Sequence, residues 1–321
     1  MRYKPAVEAR PRLLIAEPVD FTRPALDLLS NHFDLVLGDA DLADAMYEYD
    51  AVWVRLQRRI DADVLGAAPR CRFIATPVTG LDRIDLAACE RLGVQVLALK
   101  GETEFLRTVR ATAEMTMALL LALLRQLPSA VEDTLEGRWD RDRFRGREIF
   151  GKTAGIVGMG RLGSIVAEYL RAMGMNVVGV DPRDDFPHAL AERVTLHELL
   201  ERSDVISLHV PYEPATRHLL GADAFTRAKE GAVLVNTSRG GVVDEAAMVA
   251  ALESGRLAGA AVDVLDGEPD ISAEHPVLRA ARRLPNLLVT PHLGGNTFES
   301  FEKTELFLAK KLVRAFGGDC P

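Results

Sequence analysis

The stretch "TAGIVGMGRLGSIVAEYLRAMGMNVVGVD", residues 153–181, decides the fold. It opens on an apolar run and turns through Gly158-Met159-Gly160-Arg161-Leu162-Gly163. A helix pattern follows, then a second apolar run closing on Asp181, 18 residues after Gly163. A G-x-G-x-x-G is weak evidence on its own, because glycine is common and the pattern short. With a strand before it, a helix behind it and an acid at the end of the next strand, it reads as a dinucleotide-binding βαβ unit.

Each part has a physical task. Gly158 permits the tight turn, Gly160 lets backbone approach a pyrophosphate, and Gly163 lets the helix pack on its strand. The helix start offers the N–H groups of Arg161 and Leu162 to phosphates. Asp181 can accept both hydroxyls of an adenine ribose and repel a 2′-phosphate, which favours NAD over NADP. Arg183, two residues on, softens that preference.

Outward from this unit, apolar runs at 153–158, 176–181, 204–209, 232–237, 259–264 and 286–291 alternate with helix patterns. Six such strands complete a dinucleotide-binding sheet. Five more runs, at 12–18, 33–38, 51–56, 71–77 and 94–99, predict a second parallel α/β sheet with helices on both faces. Residues 109–127 read as one long buried helix ending before Pro128. Residues 299–316 read as an amphipathic helix returning to the first lobe. Met115, Met117 and Met173 fall at apolar helical positions and are expected in the core. Five arginines between 138 and 147 alternate with acids, the pattern of a solvated crossing segment.

The chain has 321 residues, 48% hydrophobic and 27% charged, which suits two domains or one inserted in another. Its net charge of −8 excludes a general nucleic-acid binder. Three scattered cysteines, Cys71, Cys89 and Cys320, make neither a disulfide framework nor a four-ligand zinc site, and no metal is expected. The N-terminal segment lacks an apolar core of signal-peptide length, and the longest apolar run, 117–124, is short of a membrane span. A reduced, cytoplasmic setting is expected.

Three further segments end an apolar run on a polar residue: "GAVLVNTSRGG" before Arg239, "GAAVDVLDGEP" before Glu268 and "NLLVTPHLGG" at His292. Ligands of a doubly wound sheet bind beyond the carboxyl ends of its strands, the edge that carries the phosphate loop. Imidazole can take or return a hydroxyl proton near neutral pH. A carboxylate beside it fixes the tautomer, and a guanidinium grips a substrate carboxylate as a bidentate fork. His209 and His218 have no acidic partner at a telling spacing and read as structural or groove residues.

"NTSRGGVVDE", "VDVLDGEP" and "TPHLGG", in that order behind "GIVGMGRLG", resemble the NAD-dependent D-2-hydroxyacid dehydrogenases of the phosphoglycerate and glycerate dehydrogenase group. "GLDRIDL" and "GKTAGIVG" extend the resemblance over nearly the whole chain. It implies two doubly wound parallel-sheet lobes, with a Rossmann cofactor lobe (109–292) inserted into a flavodoxin-like catalytic lobe (1–108 plus 293–321). It implies hydride transfer between NAD(H) and a small D-2-hydroxy or 2-keto acid. His292 is then the acid/base, Glu268 its partner and Arg239 the carboxylate anchor. Thr237 and Asp263 neighbour the nicotinamide ribose and carboxamide, Val210 lines the cofactor groove, and the subunit is half of a homodimer.

From the first lobe, the loop with Val78, Thr79 and Gly80 is expected to cradle the substrate carboxylate, and Arg55 to reach the substrate. Arg83 and Thr76 depart from the family's usual residues there, as do Leu56 and Gln57. Arg107 and Arg110 are expected near the cleft or its hinge. The chain ends 29 residues after His292, from which no appended regulatory domain is expected. Competing expectations are an NADH-responsive scaffold of the corepressor kind and a phosphite- or formate-type dehydrogenase.

Overall fold

A computed structural model describes residues 10–319. Cys320 and the first nine residues of the segment read for a leader lie outside the described residues. The chain forms two compact units, one running to Val109 and resuming at Thr297, the other spanning Arg110–Asn296.

The first unit holds β1 (Arg12–Ile15), β2 (Asp34–Leu37), β3 (Ala51–Trp53), β4 (Phe73–Ala75) and β5 (Gln95–Leu97). All are parallel, in the order β2-β1-β3-β4-β5. Leu13, Ile15, Trp53 and Ala75 pack on one face with Leu29, Leu308 and Leu312, from the helices Arg23–His32 and Phe298–Ala315. Leu14, Val52 and Ile74 pack on the other with Met46, Leu65 and Ala88. Both faces are covered, which is why these strands read as continuous apolar runs. Asp85 caps the helix Leu86–Leu92 through the Ala88 N–H, and Gly93 closes it in the left-handed conformation at φ 73°.

The second unit holds β6 (Thr153–Val157), β7 (Asn176–Val180), β8 (Glu192–Arg193), β9 (Val205–Leu208), β10 (Ala232–Asn236), β11 (Leu257–Val262) and β12 (Leu287–Val289). They form one parallel sheet in the order β12-β11-β10-β9-β6-β7-β8. The order reverses between β6 and β9, beside the glycine loop that follows β6. Strand β8 is additional to the six expected. It is two exposed charged residues, so it carries no apolar signal.

Two expectations need correcting. The long helix stops at Leu124, Gln126 turns left-handed at φ 52°, and a new helix, Leu127–Leu135, begins. Pro128 sits in that helix's first turn, where its missing N–H is not needed, so here proline starts a helix instead of stopping one. Met173 lies just past the helix Arg161–Ala172 and is exposed, whereas Met117 is buried as expected. Asp133 takes both Arg138 and Arg143, and the rest of the arginine-rich crossing is largely solvated. No single helix among the described residues is long and apolar enough to cross a membrane.

Candidate active site

The glycine loop shows why each glycine is needed. Gly158 is at φ 92°, and a Cβ there would stand 2.7 Å from the His209 carbonyl oxygen. A Cβ on Gly163 would drive into the Gly158 carbonyl, so the helix lies on its strand only through glycine. At Gly160 a Cβ would meet only Arg183 Nη2, 3.8 Å away, and no side chain caps the helix it starts. Bare backbone at an uncapped helix start fits a pyrophosphate. Arg161 is half-buried there, and burial lowers its pKa.

Asp181, 7% exposed, follows β7. Its Oδ2 accepts the Met159 N–H (2.8 Å), and its Oδ1 accepts the Arg183 N–H (3.0 Å). The Arg183 guanidinium adds Nε to Oδ1 (2.9 Å) and Nη2 to Oδ2 (3.2 Å). Burial disfavours the ionised carboxyl, but these bonds and the Arg183 charge outweigh it and hold the pKa below the usual carboxylate range.

Past β12, His292 takes the left-handed conformation at φ 56° and presents Nδ1 to Glu268 Oε1 at 2.9 Å, both side chains half-buried. That backbone costs a non-glycine residue roughly 1–2 kcal/mol and persists because the loop around it is tied down. Asp263 does the tying. Its carbonyl accepts the His292 N–H (2.8 Å), its Oδ1 accepts the Thr290 hydroxyl (2.5 Å) and the Leu293 N–H (2.8 Å), and its Oδ2 accepts the Gly294 N–H (2.7 Å).

Arg239 follows β10, half-buried, with Nη1 on the Ser238 carbonyl (2.8 Å). Asn236 stitches its turn, accepting the Ser238 N–H (3.0 Å) and donating to the Arg239 carbonyl (3.0 Å). The next residue, Gly240, packs so closely on Leu265 and Asp266 that a Cβ would enter their backbone. Glu245 accepts the Asp266 N–H (2.8 Å), so the segment bearing Arg239 is sewn to the loop bearing Glu268. Burial raises the Glu245 pKa.

Of the remaining residues named for this unit, Thr237 is buried with its hydroxyl 2.8 Å from that of Thr116. Val210 is half-buried against Gly158. His209 bonds Ser207 through Nε2 (2.8 Å) and buries Nδ1 without a protein partner. His218 is exposed, and Arg110 pairs with Glu168 (3.4 Å). Arg107 belongs to the first unit and is exposed.

In the first unit, Val78, Thr79 and Gly80 form the loop after β4, half-buried or exposed, and Arg83 is half-buried. Arg55, two residues past β3, is committed internally. It pairs with Glu305, itself 1% exposed, donates Nη1 to the Val19 carbonyl (2.7 Å) and lies over the rings of Phe21 and Phe301. Arg58 pairs with Asp39.

Four residues that support these sites were missed by the sequence reading. Asn236 had a readable signal, an Asx residue opening a turn. Glu305 had one too, an acid on the apolar face shared with Leu308 and Leu312. Thr290 and Glu245 have none, because their partners are distant in sequence.

The family model for the D-isomer specific 2-hydroxyacid dehydrogenase NAD binding domain matches residues 117–294, more than half of the chain. The chain belongs to the D-isomer specific 2-hydroxyacid dehydrogenase family. Its second unit therefore contains that family's NAD-binding domain, the fold of an NAD-dependent oxidoreductase group.

The chain is 32% identical to a hydroxypyruvate reductase of Thermotoga maritima over 96% of its own length and 99% of that protein's. It is 35% identical to a D-3-phosphoglycerate dehydrogenase of Archaeoglobus fulgidus over 96% of its length, but spans only 58% of that relative. Among solved structures, a D-lactate dehydrogenase from Aquifex aeolicus complexed with NAD and lactic acid superimposes with a TM-score of 0.82 at 28% identity, covering 95% of each chain.

Proposed function

We propose that this family member transfers a hydride between NAD(H) and C2 of a small D-2-hydroxy acid or its 2-keto acid. The observation carrying this reading is the His292 Nδ1–Glu268 Oε1 bond of 2.9 Å at a strand end of the NAD-binding unit. With Nδ1 engaged, Nε2 is the ring nitrogen left to face substrate. As imidazolium, His292 gives its Nε2 proton to the keto oxygen while C2 receives hydride. In the oxidative direction neutral His292 takes the hydroxyl proton. Glu268 fixes the tautomer and offsets the positive ring. The nicotinamide, when bound, supplies or accepts the hydride.

Arg239 anchors the substrate carboxylate through its guanidinium fork. Gly158, Gly160, Arg161, Leu162 and Gly163 would hold the pyrophosphate, Asp181 the adenine ribose, and Thr237 and Val210 would line the nicotinamide half. Asp263 acts by holding the His292 loop.

We infer an unphosphorylated substrate, since Arg55 is held internally by Glu305 and Arg58 is paired with Asp39. Hydroxypyruvate and glyoxylate therefore fit better than phosphohydroxypyruvate. An NADH-absorbance screen over these three, with pyruvate and branched 2-keto acids, tests this. Turnover of the unphosphorylated acids supports it, and turnover of phosphohydroxypyruvate alone removes the substrate assignment.

We place the protein in a reducing compartment such as the cytoplasm. Cys71 and Cys89 are buried free thiols, and burial pushes Cys71 up to about 12. The partner is a second copy of this chain. Leu127, Val131 and Leu135 expose an apolar stripe one helical turn apart, continued by Trp139 at 90% exposure. A patch of this kind, paired with its own copy about a two-fold axis, would be buried. Light scattering should give a dimer, and Val131→Glu a monomer. A wild-type monomer would remove this assignment.

A further inference from the structure

A carboxylate offers about four acceptor positions. On Asp181 all four are taken. Two belong to fixed backbone, the N–H groups of Met159 and Arg183, one on each oxygen. The other two, again one on each oxygen, are taken by Nε and Nη2 of the Arg183 guanidinium. A ribose diol held by this carboxylate needs that second pair, one oxygen per hydroxyl. The guanidinium therefore sits in the diol's seat.

It is a displaceable occupant. The Arg183 side chain is 51% exposed, and among the described residues its one other ion pair is a longer one to Asp185 (3.7 Å). Its Nη2 lies over the glycine loop, 3.8 Å from where a Gly160 Cβ would stand. Arg193 brings a second cation to the same strand end, its Nη2 on the Asp181 carbonyl (2.9 Å). An unaccompanied Asp181 would repel a 2′-phosphate. Here the carboxylate comes with two guanidinium groups at its strand end, which offset that repulsion.

Resting on the dinucleotide-binding reading, we propose that Arg183 makes this a dual-cofactor site, accepting NADP(H) beside NAD(H). For NAD(H) the guanidinium swings off Asp181 and yields both oxygens to the diol. For NADP(H) it stays and pairs the 2′-phosphate, which tolerates the neighbouring acid through it.

Calorimetric titration of NADH and NADPH without keto acid, on wild type and Arg183→Ala, reads this directly. Wild type should bind NADPH within about thirtyfold of NADH. Arg183→Ala, an exposed change, should weaken NADPH about tenfold or more while leaving NADH unchanged or tighter, since it removes both a phosphate partner and a rival for Asp181. A wider wild-type gap, or an equal effect on both dinucleotides, overturns the role of Arg183 and leaves the function reading intact. If neither dinucleotide binds wild type, the cofactor reading falls and this inference with it.

Discussion

The two parallel sheets use their carboxyl ends differently. Past β10, β11 and β12 of the seven-stranded sheet, Arg239, Glu268 and His292 stay half-buried, and the histidine and glutamate bond to each other. Past β3 of the five-stranded sheet, Arg55 is closed in by Glu305, Phe21 and Phe301. The same topology delivers a charged side chain to the same kind of edge in both. What differs is the counter-charge. Glu268 leaves its histidine a free nitrogen, whereas Glu305, fully buried, takes its arginine into the core. On the proposed function, one edge serves chemistry and the other cohesion.

Substitution on the two edges should accordingly fail in different ways. His292→Ala is expected to lower kcat on the best keto acid by about 10²–10⁴-fold while leaving the urea midpoint and the NADH affinity close to wild type. A drop in stability of similar size would mean that His292 belongs to the packing instead. Glu305→Ala is expected to cost about 3–5 kcal/mol of stability by urea titration, because it strands the Arg55 charge in an apolar setting. Replacing the pair together, Arg55→Met with Glu305→Leu, should recover most of that loss. If the double variant keeps stability but loses turnover of every keto acid, Arg55 reaches substrate after all and the two edges are alike.

How far each edge could be read from sequence follows from the range of its interactions. The glycine loop was legible because each glycine answers a local backbone demand, the positive φ of Gly158 and the close approach at Gly163. His292 and Glu268 were legible because each ends an apolar run, which fixes its edge of the sheet without knowledge of its partner. Arg55 ends a run in the same way, and its local pattern alone points it at a substrate. Its counter-ion is 250 residues away on the last helix, and no local pattern pairs them. The break at Gln126 was missed for a related reason. Pro128 gives the same signal after a helix as within the first turn of the next, and only packing distinguishes the two.

His209 provides the smallest test, since it follows β9 beside the glycine loop, half-buried, with its Nδ1 shut away from solvent. Burial pushes its ring down to about 4, and Ser207 shares its Nε2. An unfolded histidine titrates near 6.5. Above that pH both states are neutral and the native contribution is complete. As pH falls from about 6.5 to about 4, the unfolded chain binds a proton that the folded chain refuses, so stability declines across this window and the loss levels off below it. The shift sets a ceiling of about 3 kcal/mol, and partial access of the residue to solvent reduces the expected loss to about 1–3 kcal/mol. Carboxylates titrate in the same range, so the quantity to read is the difference between wild type and His209→Asn, by urea midpoints at pH 7, 5.5 and 4.5. Wild type should lose stability relative to the variant at each step downward. A difference constant with pH would mean that water reaches the ring, and that the edge beside the glycine loop is open to solvent through its full depth.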